Sequence, residues 1–565
     1  MFTNSTRILS YAMLAASLCF VSCDDAYDLS KDINSDIQIG QQFRVPVGHT
    51  DTIYVNRIIE ESETLTQNNG IYEVTSNGST DTKISPLDDV TVHNFTPALS
   101  NIDIQLPQIG AVASGSTIEI GAISTSGFYN IDEILPREVE ALYSADFKGG
   151  NVITTLSMAV NPIPAGIDAI TFRNLTMTFP DFVTLDNGSN SFSINEVTLN
   201  ATSNTFTCDI PVASFDITPE QQDQYIFTRT DGRKYLVFTE AVTITADAAI
   251  NISGNISQQE MEVEFEYYMT EETVELNGVA GIFNTDANVS SEIAINNIPD
   301  FLSTGNTSFT PEEVYLYLDL LNPANIPGSF DINLASIKGN KNSGCTVNIN
   351  VQADAMNNIL LSNFDAHVDG YTTTVEPSLV NLFQFVPERI EITSDDLTLA
   401  STNSSQKIEL GVEYPVSAKY KAVVPFKFSN LNIEYRDSID NLLEDLEDVA
   451  DKTNRIIVRA TGITDIPANL EASVALYDIA GNELTGIDTD VSKFKFTAAP
   501  DGQESTNELE ITLTEHDGSN DLERLEKIVY TVFASSTDGI TLRPHQFLYI
   551  KDIFVELPDG ITLTL

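Results

Sequence analysis

Tryptophan is missing altogether from this chain of 565 residues, and basic residues are scarce: Lys and Arg number 28 against 82 Asp and Glu, a formal charge of −54. So acidic a surface repels phosphate, which argues against nucleic-acid binding and against docking on anionic lipid by charge; divalent cations are its natural counter-partners. Without tryptophan the chain lacks the largest flat aromatic face, and that counts against capture of glycans. The histidines His49, His93, His367, His516 and His545 are scattered, and HExxH, GxSxG, P-loop and Rossmann glycine patterns are absent. Only 4 cysteines occur, none in a CxxC pair, which leaves no zinc-type thiolate motif. Beyond residue 22 no apolar run is long enough to cross a bilayer as a helix.

What is present begins at the amino terminus. Arg7 is the single charge before an apolar stretch from Ile8 to Val21, the charged start and hydrophobic middle of a secretory signal. The stretch runs into Phe20-Val21-Ser22-Cys23, which resembles the lipobox of bacterial lipoproteins. The continuation Cys23-Asp24-Asp25-Ala26-Tyr27-Asp28-Leu29-Ser30-Lys31-Asp32-Ile33 is similar to the opening of a large group of Bacteroidetes envelope lipoproteins. That resemblance implies cleavage before Cys23, lipid on its thiol and new amino terminus, and export to the outer face of the outer membrane. More than one acyl chain is what makes such anchoring stable. Loss of Arg7 with the leader takes the formal charge from −54 to −55. Residues 1–22 are therefore expected to be removed, and residues 23–38 to form a lipidated start and linker.

The dominant rhythm beyond it has period two. In Gln259-Glu260-Met261-Glu262-Val263-Glu264-Phe265-Glu266-Tyr267 acids alternate with apolar residues, placing the carboxylates in water and Met261, Val263, Phe265 and Tyr267 in a core. Similar strands are expected over 167–177, 241–250, 314–320, 456–460, 470–477 and 509–513, separated by Asn-Gly, Asp-Gly and proline-containing turns. Apolar residues make up 42% of the chain, which argues for packed structure, and its 565 residues are enough for roughly three or four domains. The fold class is all-β: tandem antiparallel β-sandwiches, Ig-like or related, spanning 39–150, 151–270, 271–430 and 431–565. One amphipathic helix is expected over 437–453, where Ile439, Leu442, Leu443, Leu446, Val449 and Ala450 share a stripe. Shorter helical turns are expected over 131–142 and 521–527. A weak repeat is seen in two sets of turns, an apolar-Pro-Asp set at Phe179-Pro180-Asp181, Ile298-Pro299-Asp300 and Leu557-Pro558-Asp559 and a second at 161–166, 322–328 and 465–468, which together suggest three related units though in differing order.

Few residues suggest chemistry. Asp517, Ser519 and Asp521 alternate in a turn, as oxygens do in the first half of a calcium loop, but the glycine stands second and no twelfth-position Glu follows. Asp186-Asn187-Gly188-Ser189-Asn190 is a weaker version. Thr52 and Ser438 lie in Asp-Ser/Thr-apolar triplets that resemble the O-glycosylation acceptor of the same bacteria. Tyr267-Tyr268, Tyr315 and Tyr317 could replace tryptophan as a sugar platform, but Tyr315 and Tyr317 stand two apart, a spacing that points to core packing. Cys208 and Cys345 fall on apolar strand faces, as small buried hydrophobes or as a mutual disulfide. The expectation is a non-catalytic surface lipoprotein acting as a structural, adhesive or binding module. Its membrane partner is reached through the lipid, with calcium as the one candidate ion and a surface protein or glycan as candidate partner. The alternatives are a nutrient-capture protein beside an outer-membrane transporter and an elongated lipid-binding protein.

Overall fold

The computed structural model describes residues 36–564 apart from 40–42, 60, 62–63, 86, 94, 111–112, 287–289, 295–306, 396, 441–452, 501, 537–538 and 559–560. The leader and Cys23 lie outside the described residues. Strands dominate, and nearly all pair antiparallel; Ala355–Ser362 with Thr372–Val375 is a parallel exception. The period-two alternation governs them as expected: along Gln259–Met269, Met261, Val263, Phe265 and Tyr267 are buried and the intervening glutamates exposed.

The sheets build three sandwiches. In the first, a sheet containing Ile167–Thr178, Lys234–Ile252 and Ser116–Ile134 faces one containing Val139–Phe147, Thr205–Asp216, Val152–Ala159 and Gln259–Met269. Their core holds Phe95, Phe147, Phe182, Phe215 and Phe238, with Phe182 stacked on Phe238 at 3.9 Å between ring centres. In the second sandwich, Tyr315–Asn322, Ala355–Ser362, Tyr414–Pro425 and Ile71–Ile84 share a sheet that packs on Gly328–Lys338, Lys341–Val351 and Arg389–Ser394. In the third, Arg455–Thr464, Ser505–Glu515 and Phe547–Leu557 face Lys427–Ile439, Asn469–Tyr477 and Lys527–Ser536.

The sandwiches are nested in sequence rather than tandem. Phe43–Gly48 pairs with Phe547–Leu557 in the third sandwich, Ile71–Ile84 joins the second, residues 91–285 build most of the first, and the chain then returns through the second and third. Asp36–Ile39 even pairs with Ile561–Thr564. This corrects the tandem boundaries: 150/151 and 270/271 both fall inside the first sandwich, and 430/431 cuts the strand Lys427–Ile439. The physical reason is that strand pairing fixes membership, and pairing partners such as Val45 and Val555 come from opposite ends of the chain. One sheet runs continuously from the first sandwich into the second, through Leu397–Ala400, which pairs with both Thr273–Thr285 and Gly328–Lys338. The second meets the third through Leu65, Tyr72, Phe426, Phe428 and Leu431.

The proline repeat has a structural meaning. Residues 161–166, 323–327 and 465–468 each carry the chain from one sheet of a sandwich to the other, one such crossing per sandwich. The helical expectations fare differently. Asp437, Ser438 and Ile439 end a strand, paired with Tyr530, Val529 and Ile528, because a neighbouring strand outweighs local helical periodicity; residues 441–452 of that expectation lie outside the described residues. Residues 131–142 form two strands around a turn in which the Val139 amide donates to the Pro136 carbonyl. Over 521–527 only the 3₁₀ turn Leu522–Arg524 forms before the next strand.

Candidate functional site

The strand Tyr315–Asn322 alternates Tyr-Leu-Tyr-Leu-Asp-Leu-Leu-Asn, so either face could have entered the core. Leu316, Leu318 and Leu320 are buried between the sheets, while Tyr315, Tyr317 and Asp319 stand half-buried on the outer face. The core-packing expectation for the two tyrosines is thereby corrected: three leucines opposite Ile359, Leu361 and Ala418 make the better apolar face, and the tyrosines keep their hydroxyls near water. Tyr267 is a core residue, whereas Tyr268 on the adjacent position is exposed.

Tyr315 and Tyr317 are near-parallel, with ring centres 6.4 Å apart and planes inclined by 12°. Phe364 meets Tyr315 edge to face at 5.5 Å, and Tyr371 meets Tyr317 in the same way at 5.1 Å. These flanking rings come from the connection between Ala355–Ser362 and Thr372–Val375. That connection is held by Asn363, whose side chain accepts from the Val314 amide at 2.8 Å and donates to the Glu312 carbonyl at 2.8 Å. Tyr315, Tyr317, Phe364 and the start of that connection border an open cavity of about 480 Å³, also lined by Asn68, Glu73, Glu313, His367 and Lys427. This size falls within the usual range for small-molecule sites.

The polar groups are ordered around the rings. Tyr315 Oη donates to Glu313 Oε2 at 3.0 Å, and Lys427 Nζ bonds Glu313 Oε1 at 2.6 Å. Tyr371 Oη donates to Asp319 Oδ1 at 2.9 Å, and Asn68 Nδ2 donates to Glu73 Oε2 at 3.2 Å. Burial, reinforced by the Glu313 carboxylate, pushes the Tyr315 phenol well above its ordinary value; burial and then Glu73 raise that of Tyr317. Both rings are therefore neutral donors at physiological pH. Two near-parallel rings beside neutral hydroxyls and bonded carboxylates can contact the apolar face of a sugar and hydrogen-bond its hydroxyls.

The calcium expectation is not realised in the arrangement of its donors. Asp517 is exposed, whereas Asp521 is buried, its Oδ2 accepting from the Gly486 amide at 2.9 Å and its Oδ1 from Arg524 at 3.0 Å. Ser519 Oγ donates to Glu515 Oε1 at 3.0 Å. A guanidinium thus occupies the charge that an ion would need. The weaker loop is a turn closed on itself, with Asn187 Oδ1 accepting from the Ser189 amide and Gly188 at φ +74°. Among the described residues, no three His, Cys, Asp or Glu side chains gather as a metal site. Thr52 is half-buried, and Ser438 lies within a strand with its hydroxyl 3.3 Å from Asp440. Cys208 and Cys345 are half-buried free thiols in different sandwiches, which removes the disulfide alternative; burial raises each to about 11.

These features define a class: an all-β protein of three nested sandwiches with an aromatic cleft on the outer face of the second. No protein-family model matches the chain, and no curated protein matches it. Among solved structures, a protein of Parabacteroides distasonis taken to be secreted shares 12% identity at a TM-score of 0.35, over 50% of this chain and 89% of its own. Tripeptidyl peptidase 2 shares 10% identity at a TM-score of 0.13, over 80% of this chain and 37% of its own. At such scores neither carries an argument about this chain.

Proposed function

We propose that the protein is a non-catalytic lipoprotein of the bacterial outer membrane, anchored through Cys23, that captures a saccharide at the cell surface on the outer face of its second sandwich. The observation that carries the capture reading is the solvent-facing pair Tyr315 and Tyr317, near-parallel and bordering the cavity. It supplies the aromatic platform that the lack of tryptophan had argued against. The nested topology supports a projecting role. Both ends of the described chain pair with one another beside the third sandwich, so an anchor at Cys23 puts that sandwich nearest the membrane and the others farther out. A structural or adhesive module and a capture module are then one object, a stalk that presents a binding cleft.

The test is affinity electrophoresis and titration calorimetry of the chain from Ala26 onward against a panel of polysaccharides. Retardation by at least one glycan, lost in Tyr315→Ala/Tyr317→Ala, is the expected result. Equal retardation of wild type and variant would refute the cleft, and turnover of any panel glycan abolished by a single carboxylate substitution would refute the non-catalytic reading.

A further inference from the structure

On the strand Tyr414–Pro425, Lys421 lies directly across from Tyr317, and Lys419 directly across from Asp319. Residues opposite one another in an antiparallel pair share a face with Cβ atoms about 5 Å apart. Both lysines are therefore beside the tyrosine pair on the outer face, and both are exposed. The next strand continues the row, with Asn77 opposite Lys421 and Ser79 opposite Lys419, each exposed.

Like Lys341 and Lys551, and unlike most described lysines, these two have no carboxylate partner among the described residues; they differ from that other pair in standing beside the tyrosines. In a chain with 82 acidic residues, lysines such as Lys83, Lys148, Lys407 and Lys427 are held by a carboxylate within 2.6 Å. Neither Lys419 nor Lys421 has an ion-pair or hydrogen-bond partner among the described residues. The nearby acids are the opposite case: Asp319 already accepts from Tyr371, Glu313 from Tyr315 and Lys427, and Glu73 from Asn68. The face thus offers two open cationic donors, while its carboxylates, still charged, each already accept a hydrogen bond.

We infer that the captured saccharide is anionic, its rings stacking on Tyr315 and Tyr317 while its carboxylate or sulfate groups are held by Lys419 and Lys421. This rests on the capture reading above. The acidic remainder of the surface opposes such a ligand only at long range, and near 0.15 M salt screening confines that field to about 8 Å. Within that distance Lys427 pairs with Glu313, and Lys419 and Lys421 stand beside Asp319, which keeps its charge, so a ligand meets two open ammonium groups rather than the net charge of the whole chain.

Two matched probe pairs test it at that ionic strength: polygalacturonate against its methyl ester, and dextran sulfate against dextran. In each pair the backbone is kept and the charge removed. The charged member of at least one pair should bind the chain from Ala26 onward about tenfold or more tighter than its neutral partner, the worth of a hydrogen bond to a charged group. Lys419→Ala/Lys421→Ala should erase that preference, and Lys419→Arg/Lys421→Arg should keep it. Because both side chains are exposed and unpartnered, the melting temperature should not move. A preference for the carboxylate pair assigns the anion as uronate, and one for the sulfate pair assigns it as sulfate. Equal, Tyr317-dependent binding of charged and neutral members would overturn the anionic assignment and leave capture standing. A preference surviving Lys419→Ala/Lys421→Ala would overturn the role of the lysines. Failure of both charged polymers to bind would also overturn the anionic assignment, and the neutral glycans of the panel would then decide the capture reading separately.

Discussion

Adjacent residues of one strand should answer oppositely to the same substitution. Leu316 and Leu318 are each 4% exposed between the sheets of the second sandwich, whereas Tyr315 and Tyr317 face outward. Truncating a buried leucine to alanine costs about 3 kcal/mol, from lost transfer energy and the cavity left behind. For a unit of this size that lowers the melting temperature by roughly 6–12 °C. Truncating an outward cross-strand residue costs about 1 kcal/mol or less. Glu313 would keep Lys427 after Tyr315 is removed, so no buried charge is stranded. Leu316→Ala and Leu318→Ala should therefore destabilise strongly and leave residual glycan binding by the folded fraction. Tyr315→Ala and Tyr317→Ala should melt within a few degrees of wild type and lose binding. Thermal and urea denaturation followed by circular dichroism, run beside affinity electrophoresis, separates the two effects. Tyrosine variants as unstable as the leucine variants would refute the assignment of faces and return both tyrosines to the core.

Other consequences are independent of the cleft. Cys208 and Cys345 should react slowly with a bulky thiol reagent in the native protein and rapidly in denaturant; fast native labelling would contradict their burial. Because burial raises both thiols from 9.0 to about 11, the folded state holds their protons longer, so stability should fall as pH rises above about 9; a pH-independent urea midpoint between 8 and 11 in wild type and a Cys208→Ser/Cys345→Ser variant alike would contradict this. Burial pushes Asp216 upward, but hydrogen bonds from Ser214, Ser144 and Thr184 and the charge of Lys407 outweigh it and hold the carboxyl below its usual value; its contribution is full above that usual value and lost as pH falls below it, so Ser144→Ala should raise the pH of acid unfolding. Millimolar calcium should not shift the melting temperature, since Arg524 already neutralises Asp521, and a clear upward shift would restore the metal reading. Cys23→Ala should abolish labelling by a palmitate analogue, and labelling that survives would end the anchor assignment.

Much of the fold was legible because alternation is local. Met261, Val263 and Phe265 announce their face through the glutamates between them, and the proline turns mark the sheet crossings. Nesting was not legible, since nothing near Thr50 in sequence signals Ile550. The cleft was missed for a different reason. Each face of Tyr315–Asn322 carries three large apolar residues and one polar one, Asp319 or Asn322, so period two separates the faces without saying which is inside, and the opposing sheet decides. The lysine pair left no distinguishing signal: Lys419 and Lys421 alternate with no acid between or beside them, but so do Lys493 and Lys495, which are both ion-paired. The calcium reading failed because spacing does not reveal which way a carboxylate turns, and Asp521 turns toward Arg524.

Hydrogen–deuterium exchange with and without a saturating bound polysaccharide tests the central claim most directly. Capture on the outer face of the second sandwich requires new protection in peptides covering Tyr315–Asn322, residues 363–371 and Tyr414–Pro425, with the first and third sandwiches unchanged. Protection confined to another sandwich, or no protection at saturation, would contradict it.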